Sequence, residues 1–391
     1  MILLLVAALT VSGPALGQST ASSAAPAAAA TTAGTPGVDL QAPLVTTEQV
    51  RAAIKADVLS LYGIMDEKIF WELPLRESKD PHYTADENAA FTKLYKEYYG
   101  ARTALALLAL LYAGDELKGD ESVKREKLEK ALKFVEEIET EATYNLGIRC
   151  TLWSKLHDQK YRAILKRDAQ VLMDSTMRDG KVSGYFGYLS GTGGDHSNTQ
   201  YGVLGLRDAA IRGIEVPRKY WEAIQEHNVE TQGLNGGWGY GCFGAPAVAD
   251  TYGSMTMACL SNLFIALDRL NGGYEGVFNG NVAKQCGQKR EPEAIDRGLA
   301  WMDRNLPVDL GLKDTGGDDQ VYCAHGMAGW GTYYLYGLER CGNASGRKTF
   351  GGLNWFQEGA RYIIQKYSKD KEVASLSWGL LFLTKGSAKR R

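Results

Sequence analysis

The chain has 391 residues with 44 Lys and Arg against 46 Asp and Glu, a formal charge of −2, and is 45% hydrophobic, 10% aromatic and 23% charged. This balance excludes a strongly basic nucleic-acid-binding surface, and the length suffices for one large domain or two or three small ones. Glycine is the departure, with 45 residues against 10 Pro, above the ~7% of ordinary domains and without a collagen-like period.

Residues 1–11 form an apolar run, followed by Pro14 and the small residues around Gly17. The pattern predicts a secretory signal over 1–17 and an exported protein, periplasmic, envelope-bound or extracellular. A run this short cannot span a bilayer, which needs about 20 apolar residues, so no stable transmembrane anchor is expected. Residues 18–43 are dominated by Ala, Ser, Thr, Pro and Gly with Asp39 as their single charge, the composition of a disordered linker. The remaining 44–391 are expected to form one domain. Its terminal basic cluster, Lys385, Lys389, Arg390 and Arg391, reads as a solvated tail.

After Val45 the chain turns helical. Six segments mix small and large apolar residues without a polar face: 99–111, 144–153, 199–206, 252–260, 327–336 and 373–383. The distances between their starts are those of helical-hairpin repeats. Charged amphipathic segments alternate with them at 123–138, 217–229, 292–305 and 356–367. In the first, Leu128, Ala131, Leu132, Val135 and Ile138 make one apolar stripe. A helix apolar all round beside a helix apolar on one side implies two concentric layers, and six such pairs can close into a barrel. The glycines cluster with aromatics at 179–188, 232–241, 271–276 and 351–355, where they read as joints between pairs. Of the six cysteines, Cys150, Cys259 and Cys323 fall in apolar runs and read as core. Cys242, Cys286 and Cys341 read as loop residues, with two of them free to pair in an exported chain. No Cys-x-x-Cys occurs, so neither a structural zinc site nor any other metal or cofactor is expected.

On these residues the chain resembles the prenyltransferase and squalene-cyclase repeat proteins. Their repeat joins a basic residue, Gly or Ala, an aromatic and an aliphatic residue to a later Gln and Gly-x-Trp. Lys130, Ala131, Phe134 and Val135 match its first half, as do Arg297, Gly298, Trp301 and Met302; Gly359, Tyr362 and Ile363 match without the basic residue. Gln232, Gly236 and Trp238 match its second half. The resemblance covers about 48–386 and implies an all-α fold, an (α/α)6 toroid.

For function, the resemblance implies a cavity lined by Tyr201, Tyr252, Trp330, Tyr334, Trp378 and Trp238 that holds an apolar, polyprenyl or terpenoid-like ligand. Class II cyclases protonate an alkene with an Asp of an acidic motif. Here Asp250 and Thr251 align, while Val248 and Ala249 replace the preceding acids, leaving Asp250 as candidate general acid. Asp195, Asp318 and Asp319 also precede inner segments and are weaker candidates at the same mouth. Zinc prenyltransferases need a His where Asn198 stands and an Asp-x-Cys that is absent, so a cyclase-like isomerase or lyase is the expected class if the chain is an enzyme; Asp195 and His196 read as a helix-start pair. Two other readings stay open: a non-catalytic scaffold that binds an envelope protein, and a carbohydrate-active toroid using a carboxylate pair.

Overall fold

The computed structural model describes residues 43–391 except 119, 272–277, 280–281, 284–292, 310–326, 368–371 and 388–391. The described chain is mostly helical. Its strands are three antiparallel two-residue hairpins, β1–β2 (Met177–Arg178, Lys181–Val182), β3–β4 (Phe278–Asn279, Val282–Ala283) and β5–β6 (Thr349–Phe350, Leu353–Asn354).

Thirteen α-helices carry the fold among the described residues: α1 (Thr47–Gly63), α2 (Ala85–Tyr98), α3 (Ala101–Glu116), α4 (Arg125–Glu136), α5 (Thr143–Lys155), α6 (Gln159–Ser175), α7 (His196–Ile211), α8 (Arg218–Glu230), α9 (Gly253–Asn271), α10 (Glu293–Asp309), α11 (Met327–Ser345), α12 (Trp355–Tyr362) and α13 (Val373–Ser387). The six all-apolar segments lie in α3, α5, α7, α9, α11 and α13. Each of these packs on the next, and α13 returns to pack on α3, so the six form a closed circuit. The amphipathic helices lie outside it: α4 on α3, α6 on α5 and α7, α8 and α10 on α9, α12 on α11 and α13, α1 on α3 and α13. The stripe predicted on α4 is the face it buries, with Leu128, Ala131, Leu132 and Val135 covered. The inner helix α5 is buried from Thr143 to Trp153 without interruption.

The first and last parts of the helical circuit are tied by side chains. Gln357 on α12 accepts from the Val45 amide at 2.7 Å and donates to the Val45 carbonyl at 3.3 Å, clasping the last outer helix to the start of the first. Arg102 on α3 pairs with Glu372 at 2.7 Å. Glycine-rich joints work by apposing an aromatic ring to a helical glycine. A Cβ on Gly202 would stand 2.6 Å from the Phe186 ring, on Gly298 2.9 Å from the Trp238 indole, and on Gly342 2.4 Å from the Trp355 indole. The family-like Gln232 donates to the Gly236 and Ala294 carbonyls, both at 2.8 Å, and accepts from Arg297, so it ties its joint to the first turn of α10.

Two placements differ from the sequence reading. Cys341 lies inside α11 and is buried, because that helix runs on to Ser345 instead of ending before the glycines; Cys286 and Cys323 lie outside the described residues. Cys150, Cys242, Cys259 and Cys341 are free thiols, and burial pushes Cys242 and Cys341 up to about 12. Lys385 is no part of a solvated tail. α13 continues through it and turns its ammonium toward Glu339, Tyr336 and Tyr112.

The outer helix α1 buries Asp57 beside Val50, Ile54, Val58 and Leu61, and desolvation alone raises its carboxyl from 3.8 to about 7. The native chain therefore keeps a proton that the unfolded chain releases near pH 3.8, and stability falls as pH rises through that window toward 7. Asp57→Asn is expected to match the wild type at about pH 4 and to gain up to about 4 kcal/mol on it at about pH 8. Urea unfolding at the two pH values checks this; a difference that does not grow with pH means the carboxyl is not desolvated in the native state.

Candidate functional site

Asp195 is buried at the start of the inner helix α7. It caps α7, its carboxylate accepting from the Asn198 amide and from Asn198 Nδ2, each at 2.7 Å, and from the Tyr240 phenol. Tyr188 and Tyr240 share a hydrogen bond at 2.8 Å, and the Tyr98 ring stands 6.3 Å from Tyr188 and 6.1 Å from Tyr144. Burial raises the Asp195 carboxyl to about 6 despite the donors around it, and the nearby carboxylate adds to burial in holding the tyrosine hydroxyls above their usual range. A carboxyl that holds its proton up to about pH 6, in a setting of phenol groups, is chemically equipped to donate it in mildly acidic solution.

Deeper in the ring, polar groups cross from one inner helix to another. Ser197 on α7 bonds the Tyr144 hydroxyl of α5 and the Tyr333 hydroxyl of α11, the latter at 2.7 Å. Gln200, one turn along α7, donates to Tyr333 and accepts from Arg340 of α11. Tyr201 lies between Tyr144, tilted against it at 4.5 Å, and Tyr333, stacked at 6.3 Å, and Trp378 of α13 meets Tyr333 edge-on at 5.2 Å. The result is a buried column of rings and hydroxyls running from a carboxyl toward a guanidinium.

Sequence candidates fall on both sides of this column. Asp195, Tyr201 and Trp378 belong to it, and Tyr334 is buried on the same helix as Tyr333. Asp250 does not: it sits exposed in a single 3₁₀ turn, Val248–Asp250, ahead of α9. Tyr252 is half-buried at the start of α9, where its amide donates to the Trp238 carbonyl at 3.1 Å. Trp238 itself is fully buried as a joint, its indole donating to the Asn228 carbonyl at 2.8 Å. Asp318, Asp319 and the Trp330 side chain lie outside the described residues. Sequence reading passed over Tyr144, Ser197, Gln200, Tyr333 and Arg340. Their signal was available as polar residues at helical spacing, 197 with 200 and 333 with 340, inside helices otherwise apolar on every side.

His196, beside the acid, is spoken for. Nδ1 donates to the Gly239 carbonyl at 2.8 Å, which leaves Nε2 of the neutral ring to accept from the Thr231 hydroxyl at 3.0 Å. Burial lowers its pKa to about 4, and His227, 5.8 Å away ring to ring, to about 3. Among the described residues no group of three or more His, Cys, Asp and Glu side chains could hold a metal ion, and no described helix is long and apolar enough to cross a membrane.

No family model, curated protein or solved structure matches the chain.

Proposed function

We propose that the chain is an exported (α/α)6 toroid of the terpenoid-cyclase and prenyltransferase-like class, binding a polyprenyl or terpenoid-like ligand inside its ring. Asp195, in place of Asp250, is its general acid. One observation carries the assignment: Asp195 is a buried carboxyl, raised to about 6 and hydrogen-bonded to Tyr240, at the head of an inner helix whose next turn carries the aromatic column. The closed circuit of six helices and the Gln232 and Trp238 joint are what the toroid reading leads one to expect. Tyrosine and tryptophan faces attract developing positive charge, so the ring column suits a carbocation formed by protonation of an alkene. Exposed Asp250 would share its proton with bulk water and gain nothing from a dry site.

Asn is as good an N-cap as Asp, so Asp195→Asn keeps the cap of α7 while removing the acid. It is expected to lower conversion of a linear polyprene by about 100-fold or more with little change in melting, whereas Asp250→Asn leaves conversion unchanged. Wild-type conversion should fall as pH rises through about 6, where the acid loses its proton. Equal turnover by Asp195→Asn and wild type removes this mechanism.

A scaffold role is favoured by a different observation. Leu234, Phe243 and Val248, on the loop between α8 and α9, are 88%, 68% and 57% exposed. Native mass spectrometry of protein from an envelope extract separates the two roles: a bound lipid supports the interior site, a stoichiometric protein partner the scaffold.

A further inference from the structure

The C-terminal ends of the inner helices are rich in ion pairs. Lys155 stands by Asp115, Arg207 by Asp208, Arg269 by Asp268 at 3.3 Å and Lys385 by Glu339 at 3.8 Å. Arg340 breaks the series. Among the described residues it forms no ion pair, although it is only 8% exposed. Its Nη2 donates to Gln200 Oε1, while Nε and Nη1 are buried with no hydrogen-bond partner. The rings of Tyr336 and Tyr201, at 4.8 and 5.8 Å, attract the charge but accept neither N–H as a carboxylate would.

Placement makes the deficit informative. Arg340 is on α11 and Gln200 on α7, with α9 between them in the circuit, so the guanidinium bridges two inner helices that are not neighbours. Buried charged donors are ordinarily satisfied, and those left open between inner helices lack an acceptor that the described chain does not supply. Gln200 could have been that acceptor in charged form, as Glu, but is neutral.

We propose that Arg340 anchors an anionic head group, a carboxylate or phosphate, whose oxygens accept the unused guanidinium donors. The head would lie beside Gln200 and Tyr336, with the apolar part along Tyr201, Tyr333 and Trp378. This deepens the reading of the ring as a ligand site by making its ligand an acidic amphiphile with a head group at the end away from Asp195.

The test uses the purified mature chain and three probes in titration calorimetry and thermal melts: inorganic phosphate, laurate and lauryl alcohol. Laurate is expected to bind about 10-fold or more tightly than the alcohol, the value of a charge-assisted hydrogen bond. Binding of phosphate as well would identify the head-group site as sufficient by itself; binding of laurate alone would show that the chain is needed. Arg340→Met is expected to abolish the preference for the anion while melting, without ligand, at or above the wild-type temperature, because it removes unsatisfied buried donors. Should that variant not fold, Gln200→Glu places a carboxylate on Arg340 from within. It is expected to raise the melting temperature and to exclude both anions. No binding of either anion, or binding that survives Arg340→Met or Gln200→Glu, overturns the proposal. Anion binding without polyprene turnover would leave this site standing while the Asp195 mechanism falls, and turnover without anion binding would do the reverse.

Discussion

Replacing Asp168 by Ala is expected to destabilise the protein by about 3–5 kcal/mol, the cost of breaking a buried ion pair from one side. Asp168 on α6 accepts from Arg149 Nε at 3.0 Å, from the Trp153 indole at 2.9 Å and from Arg167 at 3.0 Å. Arg149, on α5, is about as buried as its partner, with side-chain exposures of 1% and 2%. Its Nη1 also donates to the Ile138 carbonyl at 2.6 Å, so the pair ties α5 to the outer helix α6 and to the segment just after α4. Desolvation already pulls the Arg149 pKa down, and without Asp168 the guanidinium would keep that penalty and lose its main compensation. Removing both charges is a different experiment. Arg149→Met with Asp168→Leu fills similar volume without charge and is expected to recover most of the loss, since such swaps are often neutral or better. Equilibrium unfolding in urea of the two single variants and the double variant gives the comparison. A single Asp168→Ala variant within about 1 kcal/mol of wild type would show that water reaches the pair.

Gly147→Ala is expected to be the second large effect, because α5 and α7 approach backbone to backbone. A Cβ on Gly147 would lie 2.3 Å from the Tyr201 carbonyl oxygen, and one on Gly205 would lie 2.9 Å from the Gly147 Cα. Neither neighbour is the tip of a flexible side chain, so the helices themselves must part. Overpacking of this kind costs about 1–3 kcal/mol or more. Parting α5 from α7 also separates Tyr144 from Ser197 and Tyr201, so ligand binding in the ring should weaken beyond the loss of stability. Gly63, the last residue of α1, has open space where its Cβ would be, and Gly63→Ala is the control, expected within about 0.5 kcal/mol of wild type. Melting temperatures of Gly147→Ala, Gly205→Ala and Gly63→Ala decide the point. A Gly147→Ala variant that melts with the control would mean that α5 and α7 do not touch along this line.

The layers were legible because burial leaves a periodic trace. Six helices buried on every side read as six apolar segments, and one-sided helices read as stripes such as Leu128, Ala131, Leu132 and Val135. Two outer helices, α1 and α6, were not singled out as partners of an inner helix. In α6 the buried face includes Asp168, and in α1 it includes Asp57, so polar residues interrupt the apolar pattern by which such a face is recognised. The same effect hid Ser197 and Gln200: a polar residue in an apolar helix looks like noise until a partner on another helix is known.

Taken alone, the sequence determined the alternation of inner and outer helices and the glycine-aromatic joints, since both follow from local spacing and from what each face must exclude from water. Which carboxyl is buried was decided only by the tertiary structure. Asp195 and Asp250 both stand just ahead of an inner helix, and nothing local separates an acid covered by Tyr98, Tyr188 and Tyr240 from one left on an exposed turn. The place of Arg340 was decided in the same way. Its missing partner becomes visible only when α7 and α11, far apart in sequence, are set across one ring, because electrostatic satisfaction depends on distance in space and not on distance along the chain.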